Sequence, residues 1–278
     1  MSLPALFVSH GGPDVLISGS PAPEAWRALA RQLPVPRAIL VMSAHHLAPG
    51  PRVGSAGHWR TVHDFGGFPA ELYRLQYPAT SGKGLADEVG AALTAAGIAW
   101  LPDPEDGLDH GAWVPLLAMY TQARVPVVTL ATLPQQDART HYRLGQAVAG
   151  LRDAGWLVLG SGSLTHNLYA LGHPGMPPQP WAQAFADWMA ERLAAGEVEA
   201  LLDWQHQAPF ARENHPTDEH LLPLFFAANG RSLEAVANLM ALVILGGMVL
   251  QYPLGRLSDR LDRRRILAWL GLGLLLFS

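Results

Sequence analysis

The sequence predicts an α/β fold in which a mainly parallel or mixed central sheet is flanked by helices. Short apolar runs, each the length of a buried strand, alternate with longer segments that have helical spacing, and this alternation is typical of such a sheet. In these folds ligands bind beyond the carboxyl ends of the strands. Three of the predicted strands are followed closely by a histidine, so this edge of the sheet is the predicted position of a site.

Each element is predicted from the spacing of its apolar residues. Residues 5–9 (ALFVS) and 38–43 (AILVMS) are unbroken apolar runs that stop at histidine-containing turns, as buried strands do. Along residues 85–96 and 138–154 the apolar residues recur at helical intervals. The predicted strands are residues 5–9, 38–43, 125–131 and 156–160, and the predicted helices are residues 23–33, 85–96, 138–154 and 181–195.

The composition excludes several classes of protein. The chain has 278 residues, 49% of them apolar and 15% charged, so a sizeable core is expected and intrinsic disorder is not. The net charge is −4 and no basic run precedes residue 256, so no nucleic-acid partner is expected. The absence of cysteine excludes disulfides, iron–sulfur clusters and cysteine nucleophiles. Residues 1–10 lack the features of a secretory signal, so a cytoplasmic location is expected.

Histidine is the unusual residue, with twelve copies. His10, His45 and His166 each follow a predicted strand, so the fold is expected to bring three imidazoles to one edge of the sheet. Imidazole ligands suit Fe(II), Zn, Mn or Cu. The sequence therefore predicts a mononuclear metal site at the carboxyl ends of the strands.

A fourth candidate ligand, His220, lies in the segment NHPTDEHLLPL. Thr217 is predicted to cap a helix that has His220 in its first turn, and Glu219 is an alternative ligand. His46 is predicted to point away from its neighbour His45, because adjacent side chains of an extended segment face opposite ways. The histidines predicted to lie on the surface are His58, His141, His173 and His206, and His215 is left open.

Six segments resemble, in the right order, motifs of the class III extradiol ring-cleavage dioxygenases. The segments are SHGGP, SAHH, HDFGGFPAELY, DHGAWVPL, GSGSLTHNL and HPTDEHLLPL. Within that family the chain is most similar to the branch of 4,5-DOPA extradiol dioxygenase-like proteins. The resemblance covers residues 3–228, and six ordered motifs make it specific.

The resemblance implies a catechol-type substrate cleaved with O₂ on one divalent metal ion, Fe(II) for turnover or zinc as often bound in the family. The residues it implies are His10, His45, His166 and His220 for the metal, His110 and His166 for catalysis, and His63 and His110 for substrate binding. His166 is either a fourth metal ligand or the acid–base residue beside the metal.

The last fifty residues differ in character from the rest. Residues 236–254 carry no charge, residues 255–265 are rich in arginine, and residues 266–277 are apolar again. This pattern resembles a helix–loop–helix fragment of major facilitator superfamily transporters, in which the cytoplasmic loop is basic. We therefore predict a dioxygenase-like catalytic domain over residues 1–229 and an apolar helical tail over residues 230–278, with membrane contact only through the tail. The alternative is a pair of amphipathic helices packed on the domain.

Three functions follow from these observations. The first is an extradiol dioxygenase that acts on a DOPA-like catechol. The second is a zinc-binding protein or zinc hydrolase on the same scaffold, without dioxygenase activity. The third is an inactive fusion product, because the tail replaces the final part of the family's domain. The physiological catechol, the native metal and the oligomeric state are left open by the sequence.

Overall fold

A computed structural model describes residues 2–104, 107–171 and 177–228 of the chain. Its centre is a six-stranded sheet in the order β1-β8-β2-β7-β3-β5, accompanied by a separate two-stranded sheet of β4 and β6. The strands are β1 (Ala5–Ser9), β2 (Ala38–Ser43), β3 (Arg52–Gly54), β4 (Arg60–Thr61), β5 (Leu101–Asp103), β6 (Gly107–Leu108), β7 (Val127–Leu130) and β8 (Trp156–Gly162). β3 runs antiparallel to β7, and the other neighbouring strands are parallel. The sheet is therefore mixed.

The neighbouring strands β1, β8 and β2 end at one level. Ser9 of β1 pairs with Gly162 of β8, and Ser43 of β2 pairs with Ser161. β2, β7 and β8 are buried along their whole length, as expected for strands covered on both faces. The segments that leave the carboxyl ends of β1, β2 and β8 therefore emerge side by side at the same edge.

Helices cover both faces of the sheet. The helices are α1 (Ala22–Gln32), α2 (Leu85–Ala95), α3 (His110–Met119), α4 (Ala138–Val148), α5 (Pro180–Ala195), α6 (Val198–Leu202), α7 (Trp204–Gln207), α8 (Ala211–Asn214) and α9 (Leu222–Ala227). Because successive strand residues face opposite ways, Ile39 packs in one cluster with α1 and α3, whereas Leu40 packs in another with α2, α4 and the Phe226 side chain of α9. A third cluster joins α5 to the short helices that follow it.

Most predicted elements are confirmed, with changes at their ends. β1 and β2 have the predicted bounds, β7 is shorter than predicted, and β8 is two residues longer. The helix predicted over 138–154 ends at Val148 and continues as a 3₁₀ helix over Ala149–Ala154. The helix α3 was not predicted, because nearly all of its residues are buried and its apolar residues show no helical periodicity.

Two local predictions were wrong. Thr217 does not cap a helix: α9 begins at Leu222, after His220, and the Thr217 hydroxyl instead donates to Glu219. His141 is not on the surface but fully buried. Its Nδ1 donates to the Asp137 carbonyl, and its Nε2 accepts the backbone N–H of Leu133. Two backbone partners satisfy this imidazole, so its burial has a local cause.

The predicted apolar tail, residues 230–278, and His173 lie outside the described residues. Within the ranges that are described, no helix is both long enough and apolar enough to cross a membrane.

Candidate metal centre

Four loops at the carboxyl edge of the sheet carry the predicted histidine ligands. His10 directly follows β1, His45 follows β2 by two residues, and His166 follows β8 by four. The His220 segment reaches the same edge by packing on β8, where the Ser163 N–H donates to the His220 carbonyl over 2.8 Å. A side chain at Gly162 would overlap that carbonyl. Glycine at this position therefore permits the close approach that brings His220 to the edge.

Three of these imidazoles present Nε2 to one point. The Nε2 atom of His45 lies 3.2 Å from Nε2 of His10 and 3.3 Å from Nε2 of His220. The His10 and His220 rings are buried, and His45 is partly exposed toward a cavity. The structure thus brings together the Nε2 atoms of His10, His45 and His220, three of the four residues that the family resemblance implies for the metal.

The opposite nitrogen of each ring faces an oxygen acceptor. The Ser161 hydroxyl donates its proton to the Gly111 carbonyl, so it accepts from Nδ1–H of His10 over 3.0 Å. The Nδ1 atom of His220 donates to the Glu219 carboxylate over 2.9 Å. The Nδ1 atom of His45 lies 3.7 Å from a carboxylate oxygen of Asp64. The hydrogen bonds of His10 and His220 place their ring protons on Nδ1 and leave Nε2 free of a proton. The carboxylate near His45 favours the same tautomer in that ring.

This donor set fits a divalent metal ion. Two nitrogen atoms that both lack a proton repel each other at about 3 Å unless a cation lies between them. Two imidazole nitrogens bound to one zinc ion, each at about 2.0–2.1 Å in tetrahedral geometry, stand roughly 3.3 Å apart. The Nε2 spacings of 3.2 and 3.3 Å match that requirement. Residues His10, His45 and His220 are therefore suited to hold a metal such as Fe(II) or zinc.

The electrostatic surroundings keep the His10 and His45 rings neutral. Burial, followed by the neighbouring imidazoles, lowers the pKa of His10 well below its ordinary value, and the same causes lower the pKa of His45 to about 3. The hydrogen bond from His220 is the main reason that the pKa of Glu219 falls to about 2. Neutral imidazole is the form that binds a metal, so His10 and His45 are in the form suited to metal binding at neutral pH.

His166 lies beside this set rather than at its centre. Its ring stacks on the His220 ring with centroids 3.3 Å apart and planes within 10°. Nitrogen and oxygen atoms of His166, Glu219 and His220 also lie within 4.8 Å of one another, as do nitrogens of His10, His45 and His110. Burial, then the neighbouring His220, lowers the pKa of His166 to about 4. His166 is therefore a neutral imidazole within reach of the metal position.

His110 begins α3 on the other side of His45. The two ring centroids are 4.0 Å apart. The Nδ1 atom of His110 donates to Asp64 over 2.9 Å, and its backbone N–H donates to the second oxygen of the same carboxylate over 2.8 Å. Burial alone would raise the pKa of Asp64, but these bonds from His110 bring it below the ordinary value. The carboxylate is thus ionised at neutral pH.

A cavity of about 670 Å³ opens beside the imidazoles, a volume suited to a substituted single ring. Its lining includes His10, His45, His110, His166 and His220, together with Phe65, Phe68, Leu168, Leu171 and Trp181. The aromatic and aliphatic members supply flat apolar surface for an aromatic ring, and the imidazoles supply polar groups on one wall.

His63 does not belong to the lining of that cavity. Its Nε2 lies 3.1 Å from the Leu75 carbonyl, and its ring contacts Phe65, Tyr73 and Trp113. His63 therefore supports the loop that carries Phe65, and direct contact with substrate stays a prediction.

Two further histidines bond away from the cavity. His46 turns away from His45 and bonds to the buried Asp103 carboxylate, with 2.6 Å between Nε2 and Oδ2. His215 is buried, donates from Nε2 to the Leu164 carbonyl, and lines a different, smaller cavity.

The sequence did not single out three residues that bond to the histidines or to a residue beside them. Asp64, Ser161 and Asp109 bond respectively to His110, His10 and the Ser43 hydroxyl. Asp109 also caps α3 by accepting the Ala112 N–H. Asp64 and Asp109 directly follow or precede a histidine in the motifs HDF and DHG, which is the signal that could have identified them. The contact of Ser161 with His10 follows from the register of β8 and has no signal in the sequence.

The fold and the centre together define a metal-dependent α/β enzyme with a pocket for an aromatic ring. Residues 6–239 match the family model described as the catalytic LigB subunit of aromatic ring-opening dioxygenase. The chain belongs to this family. As an extradiol ring-cleavage dioxygenase, it acts on a small aromatic substrate with O₂ and depends on a metal.

Relatives with sequence and structural similarity support the assignment. The chain is 38% identical over 244 residues to "4,5-DOPA dioxygenase extradiol" of Beta vulgaris, covering 84% of this chain and 89% of the relative. It is 36% identical over 228 residues to the Escherichia coli K12 protein of the same name, covering 81% and 83%. A crystal structure of an uncharacterized Escherichia coli K12 protein superposes with a TM-score of 0.63 at 31% identity, covering 74% of this chain and 80% of that one.

Proposed function

We propose that this chain opens the ring of a catechol, beside its two hydroxyl groups, on one divalent metal held by His10, His45 and His220. The observation that carries the proposal is the convergence of three Nε2 atoms, two of them at 3.2 and 3.3 Å from the third. The rings of His10 and His220 are hydrogen-bonded at Nδ1 to a serine and a carboxylate, and Nδ1 of His45 faces a carboxylate at 3.7 Å, which is the arrangement expected of metal-binding histidines.

Fe(II) is the metal that we propose for turnover, and zinc is the alternative occupant. Bound Fe(II) would supply adjacent positions for the catechol oxygens and O₂ and would pass electron density between them. The protein's own contribution is to hold both reactants in contact and to keep water away with apolar walls such as Phe65 and Phe68.

His110 and His166 are proposed as the acid–base residues. Both line the cavity and lie next to a proposed ligand, His110 against His45 and His166 against His220. A neutral imidazole can accept a proton from a catechol hydroxyl and return it to the opened ring. The lowered pKa of His166, about 4, favours the neutral form before substrate binds. A fourth metal contact from His166 is the alternative role.

The substrate proposed for the first assay is L-DOPA, because relatives at 38% and 36% identity carry the name 4,5-DOPA dioxygenase extradiol. Direct contact of His63 with the substrate remains part of the proposal, and its packing on Phe65 supports an indirect effect on the cavity wall. His63→Ala tests it: a direct contact predicts a higher KM for L-DOPA.

The test is anaerobic loading of the full chain with Fe(II), followed by oxygen uptake with L-DOPA and a panel of simpler catechols. We expect a yellow ring-cleavage product and one O₂ consumed per ring opened. His45→Gln should abolish both, whereas His206→Gln should not, because His206 is exposed and pairs only with Asp203 among the described residues. Stoichiometric zinc with no oxygen uptake in iron-loaded, folded protein would favour the zinc-protein alternative.

We also propose that residues 1–229 form the catalytic domain and that residues 230–278 form a separate apolar segment resembling a transporter fragment. The support is the change in sequence character after residue 229. Separating soluble from membrane fractions of cells that express the full chain tests the cytoplasmic location. Full-length protein in the soluble fraction, with residues 1–229 behaving identically, would contradict membrane contact through the tail. An inactive fusion predicts folded, iron-loaded protein without turnover.

A further inference from the structure

Asp64 lies on the loop after β4, between His63 and the cavity residue Phe65. Its carboxylate faces two histidines of the centre. One oxygen, Oδ1, accepts the backbone N–H of His110 over 2.8 Å. The other, Oδ2, lies 2.9 Å from Nδ1 of His110 and 3.7 Å from Nδ1 of His45. The same carboxylate therefore contacts a proposed acid–base residue and approaches a proposed metal ligand.

The protons in this contact can be assigned by counting donors. A carboxylate is only an acceptor, so the His110 nitrogen that it contacts, Nδ1, must carry the proton. In a neutral imidazole the other nitrogen is then an acceptor. The His110 ring lines the cavity, so its Nε2 lone pair is the group available for accepting a proton there.

We propose that Asp64 is a positioning residue that holds His110 as its Nδ1–H tautomer and so makes Nε2 the proton acceptor for a catechol hydroxyl. The inference rests on the proposed function for the identity of the proton donor. The tautomer itself does not depend on that function. The same oxygen, at 3.7 Å from His45, favours a proton on Nδ1 of the ligand and therefore leaves its Nε2 free for the metal.

The chemistry requires a carboxylate rather than any polar side chain. His110 offers two donors to Asp64, one from its backbone and one from its ring. An asparagine at this position has one acceptor and one donor group, so it cannot accept both the backbone N–H and the Nδ1–H of His110. If the amide NH₂ faces the ring, Nδ1 must become an acceptor and the proton moves to Nε2. Asp64→Asn is thus close to isosteric but reverses or mixes the tautomer.

The first test is spectroscopic and needs no turnover. The full chain, with ¹⁵N-labelled histidine, is loaded with zinc, and the imidazole nitrogens are recorded in a long-range ¹H–¹⁵N correlation spectrum at neutral pH. His110→Gln assigns the His110 signals by removing them. We expect His110 as the Nδ1–H form in the wild type and as the Nε2–H form or a mixture in Asp64→Asn. An Nε2–H tautomer in the wild type would overturn the proposal even if the variant fails to fold.

The second test is kinetic. With Fe(II) bound, Asp64→Asn should lower kcat for catechol cleavage roughly 10–100-fold, the range seen when partners behind a site histidine are removed, with a smaller change in KM. The matched control is Glu71→Gln, an exposed carboxylate on the same loop, which should retain wild-type kcat. Unchanged kcat and an unchanged tautomer in Asp64→Asn would contradict the role of Asp64.

The two tests separate this inference from the proposed function. If His110 has the Nδ1–H form but iron-loaded protein opens no catechol, the proposed reaction fails and the assignment of Asp64 as tautomer anchor stands. If catechols are cleaved but the tautomer is Nε2–H, the reaction stands and the role of Asp64 fails.

Discussion

At the residue scale, the centre depends on the oxygen acceptor that faces Nδ1 of each imidazole. Ser161 shows this best, because its single hydroxyl proton goes to the Gly111 carbonyl and its oxygen is left to accept from His10. His10 is buried, and its pKa is lowered, first by burial. A neutral, oriented ring is therefore available to a metal without the cost of removing a proton.

Removing that hydroxyl should weaken the metal site. Ser161→Ala leaves Nδ1 of His10 without its acceptor, and we expect the dissociation constant for zinc to rise roughly 10–100-fold. Competition with a chromophoric chelator measures it. The control is Ser18→Ala on the exposed turn after β1, which should bind zinc as the wild type does. Equal affinity in both variants would show that the Ser161 contact does not orient the ligand.

At the element scale, sequence patterns predicted the elements that are long and buried. β1, β2 and β8 are continuous apolar runs, and the histidines after them reached the expected edge. β3 and β5, each of three residues, were not predicted, because strands this short have no periodic pattern. The α3 helix was missed because both its faces are buried.

The position of His220 could not be derived from periodicity at all. It depends on the close packing of its backbone on β8, which the two glycines Gly160 and Gly162 permit. His220 was predicted as a ligand from the family resemblance. The packing of its backbone on β8 explains how it reaches the site. Ser161 was also not predicted, because a hydrogen bond between segments distant in the chain leaves no spacing in the sequence. The only sequence signal for Asp64 was its position next to His63.

A substitution at Gly162 tests whether this packing positions His220. A Cβ in Gly162→Ala would overlap the His220 carbonyl, and overpacking of this kind destabilises a protein by about 1–3 kcal/mol. We expect a lower denaturation midpoint and a loss of metal binding, measured on the same preparation. Gly150→Ala, where a Cβ meets nothing within 4 Å, is the control. Wild-type metal content in Gly162→Ala would contradict this account of how His220 is placed.

At the scale of the whole molecule, buried neutral histidines couple stability to pH. The pKa of His45 is about 3, and that of His166 and of His215 is about 4, all lowered mainly by burial from 6.5. Above pH 6.5 these rings are neutral in both the folded and unfolded chain, so their full contribution is present. Below it the unfolded chain takes up protons that the folded chain does not, so the free energy of unfolding decreases toward pH 4.

Thermal unfolding of the metal-free protein measures this effect. We expect the midpoint to fall steadily from pH 6.5 to pH 4, the interval between the ordinary and the lowered pKa values. His215→Gln should reduce the steepness of the decline, because His215 is buried and lies outside the proposed ligand set. A midpoint that is constant or rises over this interval would show that these histidines are not held neutral by the fold.

The match to the family spans residues 6–239, which includes the strands, the loops and every proposed ligand. The central claim is that three Nε2 atoms hold one iron that serves ring cleavage. The most direct measurement combines metal content with oxygen uptake in protein loaded anaerobically with Fe(II). The account predicts one iron per chain and one O₂ consumed per catechol opened, with both lost in His220→Gln. Folded protein that binds one iron yet consumes no O₂ with any catechol would contradict it.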